Sequence, residues 1–97
     1  MNEEKKLAGA LSNDLFRVVS LVSRNAYAAA ARFLIEAKTT AGKLEKSKNT
    51  KTYIKNIAKD ILSSDVQLDT EKTEKFLMYA VLTQNYSLKL TKNTKQD

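Results

Sequence analysis

The chain has no cysteine, histidine, tryptophan or proline, and only two glycines in 97 residues. Each absence removes a class of chemistry. Without Cys or His there is no zinc site of the usual ligand types, no disulfide framework, no thiolate nucleophile, no imidazole acid–base pair and no Ser-His-Asp triad. The acids Asp65, Asp69, Glu71 and Glu74 can be read as a metal site or a carboxylate pair, but their place in a link and a first helical turn fits capping and dipole complementation better. The expectation is therefore a protein that is not an enzyme and needs neither cofactor nor metal. Long apolar runs are missing too. The longest, Ala26 to Ala31, falls far short of the roughly 20 residues a membrane span needs, and the start Met1-Asn2-Glu3-Glu4-Lys5-Lys6-Leu7 has no signal-peptide apolar run. These readings place the protein in the cytoplasm, away from membranes.

Scarce Gly and absent Pro also remove the punctuation of hairpins and sandwiches, while Ala, Leu, Lys and Glu abound. The expected fold is all-α, a bundle of about four helices in one domain, residues 1–97, with a frayed tail at 89–97. In the first helix Leu7, Leu11, Leu15, Val18, Val19 and Val22 recur at helical spacing, and Asn2 with Glu3 and Glu4 suits its start. A second segment runs from about Ala26 to Lys46. Ser23-Arg24-Asn25 separates the two weakly, so one helix over 5–38 and two helices are both open. Residues 43–51 read as a loop or a frayed helix end. Tyr53, Ile54, Ile57, Ala58, Ile61 and Leu62 mark a third helix, capped by Asn49 or Thr50. Phe76, Leu77, Tyr79, Ala80 and Leu82 mark a fourth, capped by Asp69 or Thr70. Tyr86 to Leu90 alternates like a short strand. The expected core is Leu11, Leu15, Val18, Val22, Phe33, Leu34, Ile54, Ile57, Ile61, Phe76, Leu77 and Tyr79.

What the chain does have is positive charge: 17 Lys and Arg against 11 Asp and Glu, a net +6. The charge is blocked along the sequence. Residues 38–59 carry Lys38, Lys43, Lys46, Lys48, Lys51, Lys55 and Lys59 against Glu45 alone, a local +6. Residues 60–74 carry Asp60, Asp65, Asp69, Glu71 and Glu74 against Lys72, a local −4. At about 100° per residue, Lys51, Lys55 and Lys59 fall on the side of their helix opposite Tyr53, Ile57 and Ile61. Arg17, Arg24 and Arg32 are seven and eight residues apart, so on a continuous helix they share one face with Asn13 and Ser20. Seven residues advance a helix by roughly 10 Å, and guanidinium is the better phosphate binder. No Gly-rich phosphate loop or base-reading signature accompanies them, so contacts to sugar and phosphate are expected. Against this stand plainer readings: a solvated lysine face, arginine ion pairs with Asp14 or Glu36, tyrosines in the core edge, and acids serving as helix caps. The acidic block can also dock on the basic block 38–59 of a neighbouring copy.

A small basic all-helical chain without catalytic residues resembles the small subunits of CRISPR effector complexes. More narrowly, Asp14-Leu15-Phe16-Arg17-Val18-Val19, Ala30-Ala31-Arg32-Phe33-Leu34-Ile35-Glu36-Ala37 and Ile57-Ala58-Lys59-Asp60-Ile61-Leu62 are similar in pattern to the helical C-terminal part of the type I-D large subunit. That part is also made as a free small subunit from an internal start. The resemblance spans most of residues 11–85 and rests on apolar spacing with a few basic positions. It implies a non-catalytic, multi-copy RNA- and DNA-binding role in antiviral defence, beside the crRNA–target duplex or the displaced strand and against other subunits of the ribonucleoprotein. Arg17, Arg24, Arg32 and the lysine block are then the residues facing nucleic acid. The rival expectations are a viral or filament protein that wraps DNA, and an adaptor or inhibitor that binds one protein partner.

Overall fold

A computed structural model describes residues 3–96, with side chains through Leu90. Four helices account for it: α1 (Glu3–Ser23), α2 (Tyr27–Glu45), α3 (Thr52–Ser63) and α4 (Thr70–Gln96). No strand occurs among the described residues, and the all-α bundle expected from the sequence is the observed fold. α1 lies between α4 and α2, α2 packs on α3, and α3 meets α4 more sparsely through side chains. The 27 residues of α4 span about 40 Å at 1.5 Å each and account for most of the 45 Å long axis.

Residues 5–38 are two helices. Ala26 N–H donates to Leu21 O (2.8 Å) and Asn25 N–H to Val22 O (2.9 Å), the paired bonds that close a helix C-terminus. Asn25 takes the left-handed conformation this closure demands, with φ 62°, which Asn tolerates better than most residues. The chain then turns back as α2, so Arg32 leaves the helix that carries Arg17 and ends beside Arg24. The single three-arginine helix face gives way to a hairpin.

The remaining boundaries follow local chemistry. α2 runs to Glu45, and only 46–51 form the link. Neither Asn49 nor Thr50 caps α3. Lys51 occupies the N-cap in an extended conformation with no side-chain cap bond, while Thr50 is buried. Asp69 does cap α4, its Oδ1 accepting the Lys72 N–H at 2.7 Å. α4 continues through Tyr86–Leu90, so the strand-like alternation there is helix, and the backbone stays helical across 89–96 where composition suggested fraying.

Leu11, Leu15, Val18, Leu34, Ile54, Ile57, Ile61 and Phe76 are buried as expected, with Val22, Phe33 and Tyr79 packed at the margin. The correction is Leu77, which is 43% exposed. Small residues take the space instead: Ala8, Ala30, Ala37, Ala41, Ala58 and Ala80 are all buried, joined by Leu44 and Thr83. They allow close helix approach. Ser12 Oγ donates to Ala80 O at 2.8 Å across α1 and α4, and a Cβ on Gly9 would sit 3.4 Å from Ser87 Oγ.

Two polar clamps hold the sparse α3–α4 side. Near one end the Tyr86 hydroxyl donates to the buried Glu4 carboxylate and accepts the Lys51 N–H at 3.2 Å, tying α4 to α1 and to the start of α3. Tyr53 meets the Tyr86 ring edge to face, 6.0 Å between centroids. Toward the other end Asp60 accepts from Tyr79 Oη at 2.7 Å and pairs with Lys75 Nζ at 3.0 Å. Burial and the facing carboxylates push both phenols up to about 12.

Candidate nucleic-acid interface

The outward side of α1 repeats Lys6, Asn13 and Arg17, and Arg24 just past its C-terminus continues the row, all exposed and about one turn or a multiple of one apart. These positions stay in water because the opposite side of α1 supplies Ala8, Leu11, Leu15 and Val18 to the core. Arg17 crosses toward α2, its guanidinium carbon 5.3 Å from the centroid of the Phe33 ring. Such stacking holds a cation in place without neutralising it. Arg24 Nη2 donates to Ser20 Oγ at 3.3 Å, one turn back. Arg17, Ser20, Leu21, Arg24 and Phe33 line an open groove of about 170 Å³. Arg32 is exposed on α2 and does not line this groove; on the helix it points about 100° away from Phe33.

Beneath this surface lies one acid. Asp14 is buried on α1, and its carboxyl is pushed up to about 6, chiefly by burial and then by the Glu36 charge on α2, with Arg17 pulling the other way. Arg17 therefore has a carboxylate neighbour at neutral pH, though none within ion-pair distance.

The lysine block follows α2, the link and α3 and is not one row. Lys38 is half-buried and donates to Leu62 O at 3.3 Å, fastening α2 to the end of α3. Lys43 stands exposed in the last turn of α2, where a cation complements the helix dipole, and Lys46 is its exposed C-cap. Lys48 and Lys51 are exposed at the link and the α3 N-cap. Lys59 is exposed on α3, and Lys55 is half-buried. On α2, exposed Lys43 and Lys46 lie within about 60° of Arg32 on the face turned away from the core, while Lys38 turns toward α3.

The acidic segment is largely spent inside the molecule. Asp60 serves Tyr79 and Lys75, Asp65 pairs with Lys72 at 2.8 Å, and Asp69 caps α4. Lys72 and the Gln67 N–H hold the Asp65 carboxyl below the usual range, and Tyr79 and Lys75 do the same for Asp60. Glu71 and Glu74 remain exposed on α4. Among the described residues no cluster of three acids is placed to hold a metal ion.

Sequence reasoning does not find Phe33 as the support of Arg17, since it depends on a turn between the two. Nor does it find Tyr86 with Glu4, which are 82 residues apart. No described helix is long and apolar enough to cross a membrane. The chain matches no known protein family, no curated protein and no solved structure.

Proposed function

We propose that the chain is a non-catalytic helical subunit that grips the sugar–phosphate backbone of a nucleic acid through the α1–α2 hairpin. One observation carries this reading: Arg17 and Arg24 line a single open groove, Arg17 is braced on an aromatic ring, and among the described residues neither is in an ion pair. A fork of N–H donors held in place and not engaged in an ion pair suits a phosphate. Arg32 and the lysines of α2 and α3 extend the positive surface, so the strand runs across the hairpin and not along α1 alone. Base edges have no partner in this scheme, and affinity comes from charge.

The resemblance to CRISPR small subunits supplies the setting. Copies repeated along a crRNA–target duplex or a displaced strand turn a weak single contact into a strong one through effective concentration. The test is fluorescence anisotropy with labelled single- and double-stranded oligonucleotides. Arg17→Glu, Arg24→Glu and Arg32→Glu together are expected to weaken binding by at least about 100-fold with unchanged circular dichroism, since three charges are reversed. Binding that survives the triple change removes the hairpin from consideration.

A further inference from the structure

α4 buries one side against the bundle, through Phe76, Ala80, Thr83 and Ser87, yet its solvent side is apolar as well. Leu77 (43% exposed), Met78 (53%), Val81 (42%) and Leu88 (59%) fall within about 100° of arc on that side, an arc that also carries exposed Glu74 near one end and Asn85 near the other. A helix with a mainly apolar outer face of this kind is ordinarily covered there. The stripe continues into a groove of about 300 Å³ between α3 and α4, lined by Tyr53, Leu82, Asn85, Leu88 and Lys89.

We propose that this stripe is the interface of an antiparallel homodimer in which α4 packs on α4 of a second copy. The charges on the helix identify the occupant. The N-terminal half carries exposed Glu74 within the stripe and Glu71 at its edge, and the C-terminal half carries exposed Lys89 at the same edge. A partner with the same helix running the other way meets both needs. With the two-fold axis near Val81 and Leu82, Leu77 lies beside Leu88 of the second copy, within about two residues' rise. Lys89 of that copy then comes level with Glu74, with Glu71 one turn further along, and symmetry repeats the contact on the other side. Glu71 and Lys89 sit at the same helical angle, which is the condition for two flanking residues to meet in an antiparallel pair. A parallel pairing sets mid-stripe Glu74 against Glu74 of the second copy and places Lys89 on the side away from the second copy's Glu71 and Lys89, and so is disfavoured. Asp60, Asp65 and Asp69 have partners within the chain, so these two glutamates are the acids of the 60–74 segment left to a neighbour.

The inference does not rest on the nucleic-acid reading, because α4 carries none of the arginines. Sedimentation equilibrium on the full chain, over about 5 to 500 µM, is expected to show a mass approaching twice 10.9 kDa. Glu74→Lys and Lys89→Glu are each expected to raise the dimer Kd about 10-fold, two surface contacts being lost at once, and the double swap to restore it to within about 3-fold. Val81→Lys with Leu88→Lys is expected to leave a monomer of unchanged helicity, since both side chains point to solvent. A wild-type chain that stays monomeric throughout that range overturns the proposal and hands the stripe to a different protein. A dimer indifferent to the double lysine change also overturns it.

Discussion

The outer surfaces of α1 and α4 are built on the same principle and offer opposite chemistry. Both helices send one stripe inward, Leu11, Leu15 and Val18 from α1 and Phe76, Ala80 and Thr83 from α4. What α1 leaves outside is Lys6, Asn13 and Arg17, with Arg24 just past its end; what α4 leaves outside is Leu77, Met78, Val81 and Leu88. Water solvates the first set, and its charges are available to an anion. The second set keeps apolar area in water, at roughly 25 cal/mol per Å², until something covers it. The two proposed contacts, one electrostatic and sensitive to salt, the other apolar, thus fall on different helices.

The comparison breaks most readily at the clamp that holds α4 in register with α1. Tyr86→Phe leaves the buried Glu4 carboxylate and the Lys51 N–H without their shared partner. A loss of about 1–3 kcal/mol is expected in urea denaturation, with the α4 outer stripe otherwise unaltered. No loss means that the Tyr86 hydroxyl adds nothing to the hold between the two helices.

A smaller effect sharpens the α1 side. Asp14 has a folded-state pKa of about 6 against an ordinary 3.8, so the folded state binds its proton more tightly than the unfolded chain does. Its contribution is complete below about pH 4 and is lost as pH rises through 6, which makes ionised Asp14 a destabilising group at pH 7. Asp14→Asn is expected to stabilise the protein by about 1–2 kcal/mol at pH 7.5 and to add nothing at pH 4. Equal gains at the two pH values exclude titration of Asp14 as the cause. Because Glu36 and Arg17 are its charged neighbours, the same substitution makes the hairpin surface more positive at neutral pH.

Four helices are legible in the sequence because Leu, Ile and Val recur at helical spacing with no competing turn chemistry, and Asp69 announces α4 by standing where a cap belongs. The split at Asn25 is written in the chain only as a residue that tolerates a positive φ, and nothing local decides whether the chain uses it. That undecided turn governs the candidate site, since it moves Arg32 to a second helix and brings Phe33 under Arg17. Leu77 misleads for a different reason. α4 is apolar on two sides between residues 76 and 82, and periodicity alone cannot say which side meets α1. The answer lies in Ala80, Thr83 and Ser87, small residues whose close fit to Ser12, Gly9 and the Lys5 carbonyl is a tertiary property. Glu4 illustrates the same limit: its place in the first turn reads as dipole complementation, while its partner Tyr86 lies at the other end of the chain.

The most direct test of the central claim is the salt dependence of binding to a single-stranded oligonucleotide. If the arginines of the hairpin neutralise about three phosphates, log K falls against log salt with a slope near −2, at about −0.7 per phosphate. The wild-type chain is expected to give that slope, and the Arg17, Arg24 and Arg32 charge reversal is expected to abolish it along with binding. A wild-type slope near zero, or one that the triple reversal leaves unchanged, contradicts the account.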